Sequence, residues 1–204
     1  MAGLFLRTDV VHVMGLALVP LLLVGGYLAG VIAHDREDTG ELPPFSAPAE
    51  LGRNGLVAAS VAVSYLGVPL AMGVVTVRGA ITTTSPDSVG LMTVLQVYGG
   101  ATAILLVVLS AAFVYPAAVA EAIRSGRLRA AVPGTRLRAV CTDGRYFTGW
   151  VAGAVVAGIG AVGFQMAAEF GTGGFLLGLA LLYYFWLVAA AKVGEAYVAG
   201  RTRR

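Results

Sequence analysis

Gln165 and Glu169 lie four residues apart, so on a helix an amide and a carboxylate share one face, a single turn apart. Away from water such a pair could hold an ion or a polar solute, because ionisable groups at membrane depth are costly and tend to be functional. Tyr183 opens an aromatic run, Tyr183-Tyr184-Phe185-Trp186, that could line a ligand cleft. The more ordinary account of that run is helix packing, since aromatics bury large areas and their polar atoms can bond neighbouring helices.

The second chemistry-bearing set is basic. Arg124, Arg127, Arg129, Arg136, Arg138 and Arg145 fall in one connection, and 125–132 alternates its cations with small and apolar residues. On an inner leaflet such arginines reach anionic headgroups, at about 1 kcal/mol each. They also fix topology, and the two roles are compatible. The preceding connection is acidic, with Asp35, Glu37, Asp38, Glu41 and Glu50, and is expected to pair with the basic one. Pro43-Pro44-Phe45 reads as an extended turn that dips an aromatic ring into the interface.

Other polar groups invite blander readings. His12, Lys192 and Glu195 sit at the ends of apolar runs, where snorkelling makes them tolerable. Ser64, Tyr65, Gln96 and Ser110 lie deeper but are neutral, and can be satisfied locally or across a helix pair. There is no HExxH, no P-loop and no dinucleotide fingerprint. His12 and His34 are too far apart to found a metal centre, and the single cysteine, Cys141, precludes an intramolecular disulfide. The expectation is a protein that is not an enzyme and carries neither cofactor nor metal.

These residues sit among long apolar stretches. Of 204 residues 58% are hydrophobic and 12% charged, roughly half the charge of a soluble domain, and the mean hydropathy is +0.83. No soluble core of this size hides so much apolar surface, so lipid is the expected solvent. The net charge of +3 belongs to loops flanking apolar runs and not to a nucleic-acid-binding face. Five stretches are long enough to cross a bilayer, about 10–33, 56–77, 91–120, 147–170 and 175–193. The first is longer than a signal-peptide core and reads as a retained helix. The expected fold is all-α, a single transmembrane bundle of five helices, with a tight turn at 171–174 joining the last two.

Of the fourteen cations, only Arg7 and Arg78 fall on one side of this pattern. The positive-inside rule then places the N-terminus outside the cell membrane and the C-terminus in the cytoplasm. Tyr27, Val31 and Arg36 match Tyr115, Val119 and Arg124 at one constant offset, and Gly52-Arg53 matches Gly144-Arg145 after a small insertion. That pattern implies two helix–loop–helix units in parallel, followed by a final helix. Small residues recur at packing spacing: Gly26 with Gly30, Gly149 with Gly153, Ala157 and Ala161, and Gly174 with Gly178. They allow close helix approach, either in a homodimer seam or within one chain.

The run Val24-Gly25-Gly26-Tyr27-Leu28-Ala29-Gly30-Val31-Ile32, the later Leu42-Pro43-Pro44-Phe45, and Tyr115-Pro116-Ala117-Ala118-Val119-Ala120 ahead of Arg124-Ser125-Gly126-Arg127-Leu128 together carry a family likeness. Over roughly residues 13 to 195 the chain resembles the archaeal membrane family labelled domain of unknown function 4013, known mostly from salt-loving archaea. The resemblance implies a multi-pass helical protein of the cell membrane, with no assigned activity, cofactor or functional residue. The expected function is non-enzymatic, through packing, anionic lipid, a homo-oligomer or another membrane partner. The competing expectation is a small-solute or ion permease with a cleft between the two repeats.

Overall fold

The computed structural model describes residues 2–34, 45, 48–83 and 91–201. The acidic positions Asp35 to Glu41, Pro43 and Pro44, Arg203 and Arg204, and the side chains of Arg7, His12 and Gln96 lie outside the described residues. The chain is all-α, with no strand among the described residues. The long helices are α1 (Ala2–Ala33), α2 (Pro48–Ala62), α3 (Val68–Thr83), α4 (Leu91–Ser125), α6 (Gly144–Ala168) and α7 (Gly171–Arg201). A short α5 (Thr135–Cys141) follows a 3₁₀ turn at Leu128–Ala131.

Among the described residues four stretches are long and apolar enough to cross a membrane: Pro48–Thr76, Tyr98–Ser125, Gly144–Ala168 and Gly171–Arg201. A shorter apolar helical stretch, Leu18–Ala33, precedes them. The first four bury at most 22% of their apolar windows inside the protein, so most of their side chains face outward. Two bounds differ from the hydropathy reading. The helix expected from residue 56 starts at Pro48, because Leu51 and Asn54 are buried and Glu50 sits in the first turn, where a negative charge suits the helix dipole. The reversal expected at 171–174 is made one step earlier, by Glu169 and Phe170. Gly171 takes the left-handed conformation (φ +76°) and opens α7, so the other two glycines of that stretch are helical.

The chain forms two compact units. The smaller is 60–115, with the end of α2, a π-helical turn at Val63–Gly67, α3 and the first part of α4. Pro69 cannot donate to a carbonyl one turn back, and the widened turn just before it relieves the clash its ring would make. Here α3 and α4 lie antiparallel, with Gly73 facing Ile104 and Gly100 facing Thr76. Ser64, Thr102 and Ser110 each donate to the carbonyl four residues back at 2.8 Å, so these hydroxyls are satisfied within their own helices.

The larger unit combines 1–59 with 116–204. In it α1 and the start of α2 are antiparallel, α1 and α7 run parallel, and α6 and α7 form a long antiparallel hairpin. Tyr27 and Val31 of α1, Leu51 of α2 and Ala190 of α7 form one core cluster. The core is lopsided. Ala117, Ala118, Val119 and Ala120 of α4, Leu137 and Val140 of α5, Tyr146 of α6 and Tyr197 of α7 are all buried, and all lie toward one end of this unit. Leu176, Leu177, Val162 and Met166, toward the other end, are exposed.

Candidate functional site

The buried end is also the basic end. α4 stops there because Gly126 adopts φ +65°, with its N–H donating to the Ile123 carbonyl and the Arg127 N–H to that of Ala122. This paired closure is the Schellman motif, and it needs a residue without a β-carbon penalty at Gly126. The chain then makes the 3₁₀ turn, passes Pro133-Gly134, and folds back as α5, which buries Leu137 and Val140 on the unit. Asp143 caps α6, its Oδ1 accepting from the Arg145 N–H at 2.7 Å. The basic connection is thus a folded cap.

Its arginines do different things. The Arg124 Nη1 donates to the Ala33 carbonyl at 3.1 Å, closing the C-terminal end of α1 with a positive charge. Arg136 lies 3.6 Å from Glu121 Oε1. Arg127, Arg129, Arg138 and Arg145 are exposed, and among them Leu128 and Val132 are also more than half exposed.

Beneath the cap is a polar centre that sequence reasoning did not single out. Glu121, only 6% exposed, accepts a 2.5 Å hydrogen bond from the Tyr197 hydroxyl through its Oε2. Tyr197 is fully buried, and the cations of Arg201 and Arg124 are within electrostatic reach of its hydroxyl. Tyr146 is equally buried and hydrogen-bonds with the Ala117 backbone. Glu121, Arg136, Ala139, Val140, Gly200 and Arg201 line a cavity of about 240 Å³ between α4, α5 and α7. The available signal was Glu121 itself, an acid at the end of a long apolar run and ahead of a basic stretch. Its partner lies 76 residues away, at no spacing a local pattern can show.

The other expected site does not converge. Gln165 and Glu169 are exposed on α6, with Glu169 at its C-terminal cap. Tyr183 is half-buried on α7, near the level where Phe185 packs on Gly160. Nine residues of helix separate Gly160 from Glu169, about 13 Å at the usual rise. The aromatic run divides: Phe185 faces Gly160, whereas Tyr184 and Trp186 are exposed. Lys192 and Glu195 pair at 3.2 Å on an open surface, and Phe45 packs on Tyr27 in a tilted arrangement with ring centroids 5.0 Å apart.

Most of the glycines at packing spacing meet neighbours within the chain, whereas Ala161 is exposed. A β-carbon on Gly26 would fall on the Leu51 carbonyl oxygen, and one on Gly149 would fall on the Ala196 methyl. At Gly153 it would lie 2.7 Å from Val193 Cγ2. Gly174 and Gly178 meet Ala167 and Phe164 in the same hairpin. Gly30 is different, since a β-carbon there would make only an ordinary 3.8 Å contact with Asn54. Among the described residues no group of three His, Cys, Asp or Glu converges.

Four helices among the described residues, long and apolar enough to cross a membrane and with most side chains facing outward, suggest a membrane protein. The chain belongs to the family described as protein of unknown function DUF4013, whose profile matches residues 11–168, more than half of its length. That match ends where α6 ends and does not include α7. No curated protein and no solved structure matches the chain.

Proposed function

We propose that this is a non-enzymatic, multi-pass protein of the cell membrane that engages anionic lipid through its basic cap. One observation carries the reading. Leu128 and Val132 are exposed beside Arg127 and Arg129, on a connection that elsewhere buries Ala131, Leu137 and Val140. Cations interleaved with outward apolar side chains are what an interfacial segment needs, because the arginines meet headgroups while the apolar groups enter the acyl boundary.

The proposed topology has five spans, with α1 joining the four longer stretches. The N-terminus is external, and the cap and C-terminus are cytoplasmic. Support comes from the arginine distribution and from the cap, where Arg53 lies beside Gly126 and Arg124, Arg136 and Arg201 stand near Glu121 and Tyr197. Two helix–loop–helix units plus a final helix remain the proposed ancestry. Val31 and Val119, which match at the constant offset, are both 1% exposed, and the residues following the two Gly-Arg pairs, Asn54 and Tyr146, are both buried. The family profile ends before the final helix, in keeping with that division. The bias to arginine, with Lys192 as the single lysine, suits a GC-rich genome, and the proposed archaeal source rests on the family resemblance alone.

Topology is tested with Leu128→Cys in a Cys141→Ser background. A membrane-impermeant maleimide should label it only after cells are permeabilised. Labelling of intact cells would invert the orientation and remove the cap from the inner leaflet.

A further inference from the structure

We infer that the cavity between α4, α5 and α7 is a binding site for a phosphate ester that also carries a hydroxyl group, a glycerol-phosphate headgroup being the type. The inference rests on the proposed lipid-facing cap and assigns a discrete site within it.

Charge decides the sign of the ligand. Around the cavity stand the cations Arg136, Arg201 and Arg124 against two carboxylates, Glu121 in its wall and Asp143 beside the lining Gly200, which leaves an excess of positive charge. Arg124 is committed to the Ala33 carbonyl. Arg136 and Arg201 line the cavity, and the Arg136 side chain is 79% exposed and holds Glu121 only at 3.6 Å. Two guanidiniums with donors to spare suit a phosphate, which accepts short charge-assisted hydrogen bonds in fork geometry. A bare dianion would meet Glu121 at the wall. A headgroup with a hydroxyl beside its phosphate avoids that conflict, because the hydroxyl can donate to Oε1 while Tyr197 holds Oε2 in place.

Size and depth point the same way. A volume of about 240 Å³ is below that of pockets for drug-sized ligands, about 300–1,000 Å³; it suits one headgroup and excludes acyl chains. Glu121 and Arg201 fall near the ends of the apolar stretches Tyr98–Ser125 and Gly171–Arg201, at the buried, basic end of the unit, which is the level of a headgroup layer about 5–8 Å deep.

The test uses the full chain in mild detergent, titrated with short-chain phosphatidylglycerol, short-chain phosphatidylcholine or glycerol 3-phosphate, and read by native mass spectrometry. Phosphatidylglycerol should bind in preference to phosphatidylcholine. Arg136→Gln and Arg201→Gln, both at exposed positions, should each weaken it about tenfold, the loss of one charge-assisted hydrogen bond. Glu121→Gln should reduce the preference for the hydroxyl-bearing headgroup. Retention of glycerol 3-phosphate as tightly as the lipid would support the site and identify a soluble ester as its source; retention of the lipid alone would identify the membrane. The paired control, Arg127→Gln with Arg129→Gln, removes more charge outside the cavity. If the control weakens binding as much as the cavity variants do, the discrete site is overturned and the diffuse lipid-facing cap stands. If the wild-type chain shows no preference for phosphatidylglycerol, both fail.

Discussion

Glu121 and Tyr197 carry the sharpest residue-scale consequence. A buried carboxylate without its donor keeps the full cost of leaving water, so Tyr197→Phe should destabilise by about 1–3 kcal/mol although it removes only one oxygen. Thermal unfolding in detergent reads this directly, and Glu195→Ala provides the contrast. The Lys192–Glu195 pair is half exposed, so its loss should cost no more than about 1 kcal/mol. Equal shifts for both variants would mean the buried pair has no special standing. Cys141 offers a second check. Burial pushes its thiol pKa up, so less thiolate is present at neutral pH and alkylation should be slower than in the unfolded chain, speeding up as pH rises. Equal rates in the folded and unfolded protein would show that the packing around the end of α5 does not shield the thiol.

Among the helices, the glycines separate into those a neighbour presses upon and those it does not. Gly25 and Gly26 are adjacent in one helix. A β-carbon on Gly26 meets the Leu51 backbone, whereas on Gly25 it meets nothing within 4 Å. Gly25→Ala should therefore leave stability unchanged or improve it by up to about 1 kcal/mol, the gain in helix propensity. Gly26→Ala should force α1 and α2 apart and lower the melting temperature; if it is as benign as Gly25→Ala, the close approach is wrong. The same logic joins α6 to α7 through Gly149, Gly153 and Gly160. Inside lipid no hydrophobic drive holds helices together, so contacts made possible by missing side chains must do so.

For the whole molecule, the large unit buries its side chains toward one end and leaves much of its apolar surface outward. Lipid would cover that surface, so the lengths between the two ends need little internal core. The expectation for a dry, structural hairpin follows. In a Cys141→Ser background, Gln165→Cys and Tyr183→Cys should react slowly with a water-borne maleimide in membranes. Rapid labelling of both would instead favour a solvated cleft and the permease.

Hydropathy and length by themselves determined the helical class, the outward-facing spans and the position of the turn between α6 and α7 to within a few residues, because an apolar run of that length has few other stable states. The loops were less legible. The basic stretch reads as a string of arginines, yet it folds into a 3₁₀ turn and α5 because Ala131, Leu137 and Val140 find buried places on the unit. Which faces meet was decided only in three dimensions. A helix that is apolar all round carries no amphipathic stripe to mark its inner side, so Gly26 and Gly25, or Gly153 and Gly158, look alike in the chain and differ only against a neighbour. The Glu121–Tyr197–Arg136 centre belongs to the same class. Its members sit on three helices, and only the packing of α4, α5 and α7 brings one acid, one phenol and one guanidinium together.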